Sequence, residues 1–448
     1  MNSPMSSVGR FAPIAPLQYA RLYLSALIIV MAAEWIGPMT IKVGPGKILL
    51  LPIVWAIFLG GCLSILERRI PRPLRIDDTM QRYAAAILQP ALLLFIAKLG
   101  VLVGASLPKL AASGWALALQ EFGHFFGTVL VALPVALLLG IKREAIGATF
   151  SIGREPSLAI ISERFGLASP EGHGVLAEYI TGTIFGAVFI AVFASFVASL
   201  HVLDPRALAM GSGIGSGSMM AAASSAIAAM QTPEVAAEVA TFAAASNLIT
   251  TTIGTYFTLF ISLPFAEWVY RLLESRIGRA PKAIVTPAAQ AVGVTATAEP
   301  EHAAELSAGA RWAAWGIVSV MTLIGNWIAF KTQPLAALPA SAIMFAIVAI
   351  GYALYQLTRK KVPAVCWVSL VAMIVSYPSF PFAGNIKSLT TPLNFLAMIT
   401  PILAFAGLSV AKDLPAFRRL GWRIIVTSFL ASAGSFIGAS LIAEMLIH

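Results

Sequence analysis

Apolar runs long enough to cross a bilayer, parted by short polar stretches that hold most of the charge, set the pattern of this chain. They lie near 21–36, 48–65, 83–107, 113–141, 175–200, 238–264, 311–330, 338–357, 362–378, 391–411 and 420–447. Each reads as a membrane-spanning helix. Two further segments are apolar but interrupted. In 147–165, Pro156 follows Ser151-Ile152-Gly153-Arg154-Glu155; it lacks a donor and clashes with the preceding turn, so the segment kinks or breaks. In 206–230, Gly211, Gly213, Gly215 and Gly217 alternate with Ser212, Ser216 and Ser218. Irregular backbone survives at membrane depth only where protein buries it or water reaches it, and Ser hydroxyls there can bond freed carbonyls. The expected fold is an all-α polytopic membrane protein of roughly eleven to thirteen spans, with two broken or re-entrant helices.

Composition removes other classes. The chain is 58% hydrophobic and 11% charged, more apolar than a soluble fold can hide. Its net charge of +10 sits mostly in short loops, so it speaks to membrane orientation and not to nucleic acid. Cys62 and Cys366 lie inside apolar runs and five histidines are scattered, so neither a disulfide framework, a metal site nor a cofactor is expected. The first apolar segment has no cleavage site and reads as a retained span.

The loops carrying Arg68, Arg69, Arg72 and Arg75, then Lys142-Arg143, then Arg271 and Arg276, fall in the cytoplasm by the positive-inside rule, as does the N-terminus. The bacterial inner membrane is the expected location. Residues 143 and 276 then share a side, so the two interrupted segments either both cross or both re-enter. Acidic Glu171, Glu234 and Glu238 favour crossing, but acids weigh little in topology, and both arrangements stay open. Residues 1–276 form an N-terminal membrane half. Residues 277–310, rich in Ala, Pro, Thr and Glu, read as a flexible cytoplasmic linker, and 311–448 form the C-terminal half.

The chain also repeats. Gly100, Val103, Leu107-Pro108, Gly114-Trp115, Phe122 and Gly127 recur without gaps as Gly407, Val410, Leu414-Pro415, Gly421-Trp422, Phe429 and Gly434. Arg418, Arg419 and Arg423 stand where the first copy has Ala111, Ala112 and Ala116, so the two copies have opposite topology. Inverted repeats around broken helices are a recurrent build of secondary transporters.

Charges and polar groups at membrane depth supply the candidate site. Ser151, Gly153, Arg154 and Ser157 in the first interrupted segment offer hydroxyls, exposed backbone and a guanidinium for a substrate carboxylate. Gly213, Gly215, Ser216 and Ser218 are their counterparts in the second. Asn247 and Thr251 share a face of the following span. Glu155, Glu121 and His124 are the candidates for ion coupling, with Lys98 a further buried charge. Glu34 and the 378–392 loop are weaker signals. Helix N-termini freed by the breaks would direct partial positive charge at an anion.

The stretches Ile41-Lys42-Val43-Gly44-Pro45-Gly46-Lys47, Ser151 to Ser157, Met210 to Met220 and Gly421-Trp422-Arg423 resemble the bacterial domain-of-unknown-function 3100 family over nearly the whole chain. That family implies no chemistry. More loosely, the inverted repeat with glycine-rich breaks is similar to the glutamate:sodium and 2-hydroxycarboxylate transporter group. The chain lacks their Gly-Gly-x-Gly patterns, so no site residue carries over. The expectation is a secondary transporter of a small organic anion coupled to H+ or Na+, in contact with the lipid bilayer and compatible with a homodimer. The alternatives are a passive channel, a non-transporting scaffold, or an intramembrane hydrolase using Ser157 or Ser218 with His124. No nucleophile elbow or metalloprotease helix supports the last, and an enzyme is not expected.

Overall fold

The computed structural model describes residues 16–66, 75–112, 114–166, 169–252, 254–278, 306–359, 362, 364–412, 414 and 421–447. It is an all-α polytopic membrane protein. Among the described residues the extended pieces are Met39–Val43 and Gly46–Leu50, an antiparallel hairpin turning at Gly44, where φ is +55°. That hairpin leans on the Ala187–Ser199 helix, whose Ser195 and Ser199 hydroxyls accept from the N–H groups of Leu49 (3.1 Å) and Lys47 (2.6 Å).

Eight helices are long and apolar enough to cross a membrane, among them Pro16–Ile36, Gly114–Leu138, Pro170–Ser199, Ala308–Phe330, Pro334–Leu357 and Trp422–Ile447. The shorter Pro52–Ile65 and Ala364–Ser376 helices and the run 233–277 bring the crossings to about eleven. The run 170–199 passes through a π-helical turn at Gly182–Gly186, and 233–277 through another at Thr258–Ser262. Most of the 277–310 linker lies outside the described residues; where the chain resumes, Ser307 caps the Ala308–Phe330 helix by accepting from Ala310 N.

Both interrupted segments are broken, and both re-enter. The first consists of Glu144–Thr149 and Arg154–Arg164, with the break at 150–153. Before it, Lys142 pairs with Glu274 at 2.6 Å; after it, Arg164 reaches Glu267 of the same helix at 3.5 Å. Arg143 and Glu171, which flank the whole segment, pair at 2.7 Å. The chain has returned to the basic face it left. Glu171 therefore belongs to that face and not to the opposite one, which removes its support for a crossing.

The second consists of Pro205–Ser212 and Gly217–Ala228. Asp204 N donates to Glu444 Oε2 (2.7 Å) at the C-terminal end of Trp422–Ile447. The Asp204 carboxylate, with Glu238 and Glu444 beyond it, holds the pKa of Arg206 above its ordinary value despite partial desolvation. Residues 204–206, 238 and 444 thus gather at the face opposite the basic one. Pro205–Ser212 runs down alongside Pro233–Thr252, and Gly217–Ala228 returns along Ala187–Ser199. At 8 and 12 residues the two arms are about 12 and 18 Å long.

The inverted repeat appears as a contact. Gly114–Leu138 and Trp422–Ile447 pack antiparallel through Gly123, Gly127, Gly434 and Gly438. A Cβ on Gly127 would strike the Gly434 carbonyl, and one on Gly434 would strike the Gly127 carbonyl. These two glycines are repeat equivalents, so the contact is self-complementary, like a two-fold dimer interface folded into one chain. Gly100 and Gly407 are also equivalents. The first lies against Ser369 and Ala372 of Ala364–Ser376, the second against Ala56 and Ile57 of Pro52–Ile65.

Two measurements check this architecture. In a background without Cys62 and Cys366, cysteines placed at the exposed positions Arg143 and Arg164 are expected to react with an impermeant thiol reagent from one side. Cysteines at His201 and Gln231 are expected to react from the other; labelling of positions 143 and 164 from opposite sides would contradict re-entry. In the second, Gly127→Val and Gly434→Val each overpack the seam and lower stability by about 1–3 kcal/mol, read as thermal unfolding in detergent, by similar amounts because the sites are equivalent.

Candidate functional site

At the second break, Pro205–Ser212 ends at Gly213, and Gly215 adopts φ +67°, a left-handed conformation that favours glycine. Ser216 then caps the returning helix by accepting from Met219 N at 3.3 Å. The end of the first arm leaves carbonyls without helical partners. On the neighbouring helix Pro233–Thr252, Asn247 Nδ2 donates to Gly213 O (2.8 Å), and Ser246 Oγ donates to Met210 O (2.7 Å), which also accepts from Gly213 N (3.1 Å). Close approach needs the glycines, since a Cβ on Gly213 would collide with Ser246.

At the first break, Ser151 Oγ accepts from Gly153 N (3.0 Å), Ser262 Oγ donates to Phe150 O, and Gly153 O receives Ser157 N (3.0 Å) as the returning helix begins. Ser151 and Ser157 are buried. The Ser157 hydroxyl makes no hydrogen bond among the described residues and, with Ser151 Oγ, flanks the open side of Gly153. Arg154 and Glu155 open the Arg154–Arg164 helix; their side chains lie outside the described residues.

The two tips meet. The Ile152 Cδ1 atom lies 3.5 Å from where a Cβ on Gly215 would stand, and Met219 Sδ fills the space beside it. Two helix N-termini, at 154 and 217, therefore approach each other from opposite faces. The interior next to Asn247 is closed to a cavity of about 20 Å³, room for one water. A larger apolar cavity, about 460 Å³, lies elsewhere, between Leu107, Leu370, Tyr377 and Phe380.

Ser151, Gly153, Ser157, Gly213, Gly215, Ser216 and Asn247 are thus gathered at or beside the breaks, and Ser218 joins them through a 3.0 Å bond with Ser216. Thr251 is not. It is exposed, and its hydroxyl donates within its own helix, to Asn247 O (2.8 Å). The neighbouring face of that helix carries the chemistry instead. Thr250 Oγ1 donates to Glu121 Oε1, and so does Gln120 Nε2 (2.8 Å), which also lies 3.0 Å from Ser246 Oγ. Glu121, 1% exposed, is thereby connected to the second break through Gln120, Ser246 and the Met210 carbonyl. Gln120, Ser246 and Thr250 are the residues sequence reasoning missed; Ser246 and Thr250 stand four apart, as Asn247 and Thr251 do, and spacing alone does not choose between the faces.

The other buried charges are placed apart. His124 Nδ1 engages the Ser435 hydroxyl, which itself lies 3.2 Å from the His124 carbonyl, so the ring fastens the glycine seam and is bonded to neither Ser157 nor Ser218. Lys98 donates to Thr390 O at 2.6 Å, away from Glu121 and His124. Glu34 accepts from Thr400 Oγ1 at 2.5 Å.

Replacing Asn247 by Ala removes the donor to the Gly213 carbonyl, an expected loss of about 1–3 kcal/mol in thermal unfolding, whereas Ser246→Ala leaves Met210 O bonded to Gly213 N and is expected to cost less. Thr251→Ala, exposed and bonded only to its own helix, is expected to stay within about 0.5 kcal/mol of wild type.

No curated protein and no solved structure gives a significant match to the chain. The profile of the family described as "Protein of unknown function (DUF3100)" matches residues 31–272, which contain both broken helices, Glu121 and Asn247, and the chain belongs to that family.

Proposed function

We propose that the protein is a secondary active transporter of a small organic anion, coupled to H+ or Na+. In this reading it lies in the bacterial inner membrane, with its N-terminus and basic face in the cytoplasm. The observation that carries the reading is the meeting of two re-entrant tips, Ile152 against Gly215, from opposite faces. Each tip starts a helix of more than ten residues, so two sets of N-terminal N–H groups point toward the middle of the membrane. Two positive helix ends directed at one place are an arrangement for an anion. The buried, unbonded Ser157 hydroxyl gives that anion a donor, and Arg154, at the start of the same helix, supplies the charge that pairs with a carboxylate. Each hairpin enters from one face, the two from opposite faces, which suits a solute admitted alternately from either side.

The test is thermal stabilisation of the purified protein by lactate, malate, succinate, glutamate and neutral amide analogues, with and without Na+ and at two pH values. A ligand at 100 times its Kd raises stability by about 2.7 kcal/mol. At least one carboxylate is expected to stabilise and its amide is not, with the effect lost in Arg154→Ala and weakened in Ser157→Ala. A folded protein that responds to none of the panel would point to a channel or a scaffold.

A further inference from the structure

The hydrogen bonds around Glu121 do not balance. Two donors, Gln120 Nε2 and Thr250 Oγ1, both serve Glu121 Oε1. Glu121 Oε2 and Gln120 Oε1 are buried and have no hydrogen-bond partner among the described residues. These are two orphaned acceptors on side chains already joined to each other. A buried acceptor without a donor is costly, and an ionised carboxylate without a counter-charge is costlier still. One proton on the carboxyl group removes both problems, by cancelling the charge and turning an acceptor into a donor.

A sodium ion would also answer orphaned acceptors, but the local oxygens are committed. The carbonyls freed by the second break, Met210 O and Gly213 O, already accept from Ser246 and Asn247. Met210 O also accepts from Gly213 N, and the Ser246 hydroxyl both donates to Met210 O and accepts from Gln120 Nε2, so Glu121 Oε2, Gln120 Oε1 and the lone pairs of Thr250 Oγ1 offer three oxygens where a hard cation takes about six. Nor does a described cation neutralise the site. Of the titratable groups on the packed elements, His124 is bonded to Ser435; Arg206, Glu238 and Glu444 lie at one face, and Glu267 and Glu274 at the other. Beside Oε2 stands Gly254, whose missing side chain leaves room: a Cβ there would be 3.6 Å away.

We infer that the coupling ion is a proton and that Glu121 carries it. This inference rests on the transporter reading. In the step it implies, the O–H bond of the Glu121 carboxyl breaks and its proton passes to water at the face then open, leaving a carboxylate. That carboxylate draws harder on Gln120 Nε2, which is shared with Ser246 Oγ and through it with the Met210 carbonyl at the second tip. The charge state of Glu121 is in this way read at the break.

Two readouts separate this inference from the reading beneath it. Infrared spectra of the solute-free protein at neutral pH are expected to contain the carbonyl stretch of a protonated carboxylic acid that is lost in E121Q and shifted in E121D. The band is expected to be the same in Na+ and K+ buffers. Absence of any band lost in E121Q, or its removal by Na+, would overturn the inference. In proteoliposomes with a trapped pH dye, malate and the other panel carboxylates are added outside. The ratio of proton flux to carboxylate flux is expected to fall at least about tenfold in E121Q, a loss of about 1.4 kcal/mol of coupling; an unchanged ratio overturns the inference. If wild type moves none of these anions, the transporter reading fails on its own, and the infrared band still decides whether Glu121 holds a proton.

Discussion

Everything distinctive in this protein depends on one constraint: a helix that stops inside a membrane exposes carbonyls and N–H groups that lipid cannot satisfy. The chain stops two helices there. At the second stop Ser246 and Asn247 on an adjacent helix donate to carbonyls, and Ser216 within the loop itself accepts from Met219 N. At the first, Ser262 donates to Phe150 O across the fold and Ser151 accepts from Gly153 N. Glycine at 213 lets the neighbouring helix come close enough for those bonds, and so the composition of the break and that of its partner helix are one solution.

The glycine seam solves a different problem. Lipid tails are as apolar as leucine, so helices in a membrane gain by packing backbone on backbone. Gly123, Gly127, Gly434 and Gly438 permit that, and because Gly127 and Gly434 are repeat equivalents the seam sits on the local pseudo-two-fold axis. His124 and Ser435 fasten it on one flank. The second hairpin is braced against the same helix, with Gly211 set on Phe436 and Ser440. A rigid axis of this kind gives the hairpins a fixed frame to be held against.

The sequence revealed the broken segments, the inverted repeat and most residues at the tips, because proline, alternating glycine and matched Gly-Trp dipeptides are local signals. It did not reveal re-entry, since a segment that crosses and one that turns back have the same composition. The difference lies in pairings such as Arg143 with Glu171 and Arg164 with Glu267, which are tertiary. It also favoured the Asn247–Thr251 face where the structure uses Ser246–Thr250 beside it. One helical position is 100° of rotation, and an alanine-rich helix offers no apolar stripe to fix the phase. His124 stands out in the sequence as a candidate for ion coupling and Lys98 as a further buried charge because they are titratable and lie in spans; their partners, Ser435 and Thr390, come from more than two hundred residues away.

The two hairpins are not equivalent, and the difference divides the labour between them. The second has its freed carbonyls capped from outside, is seated on the seam helix, and is connected to Glu121 through Gln120 and Ser246. Its tip is committed. The first keeps a buried hydroxyl, Ser157, without a hydrogen-bond partner among the described residues, at the start of a helix that opens with Arg154 and Glu155. A ligand adds most where donors are unspent, and a coupling group acts most where bonds already connect it to something that moves. In the proposed transporter, that reasoning assigns the solute to the first hairpin and the sensing of the proton to the second. The contact of Ile152 with Gly215 is where each would feel the state of the other.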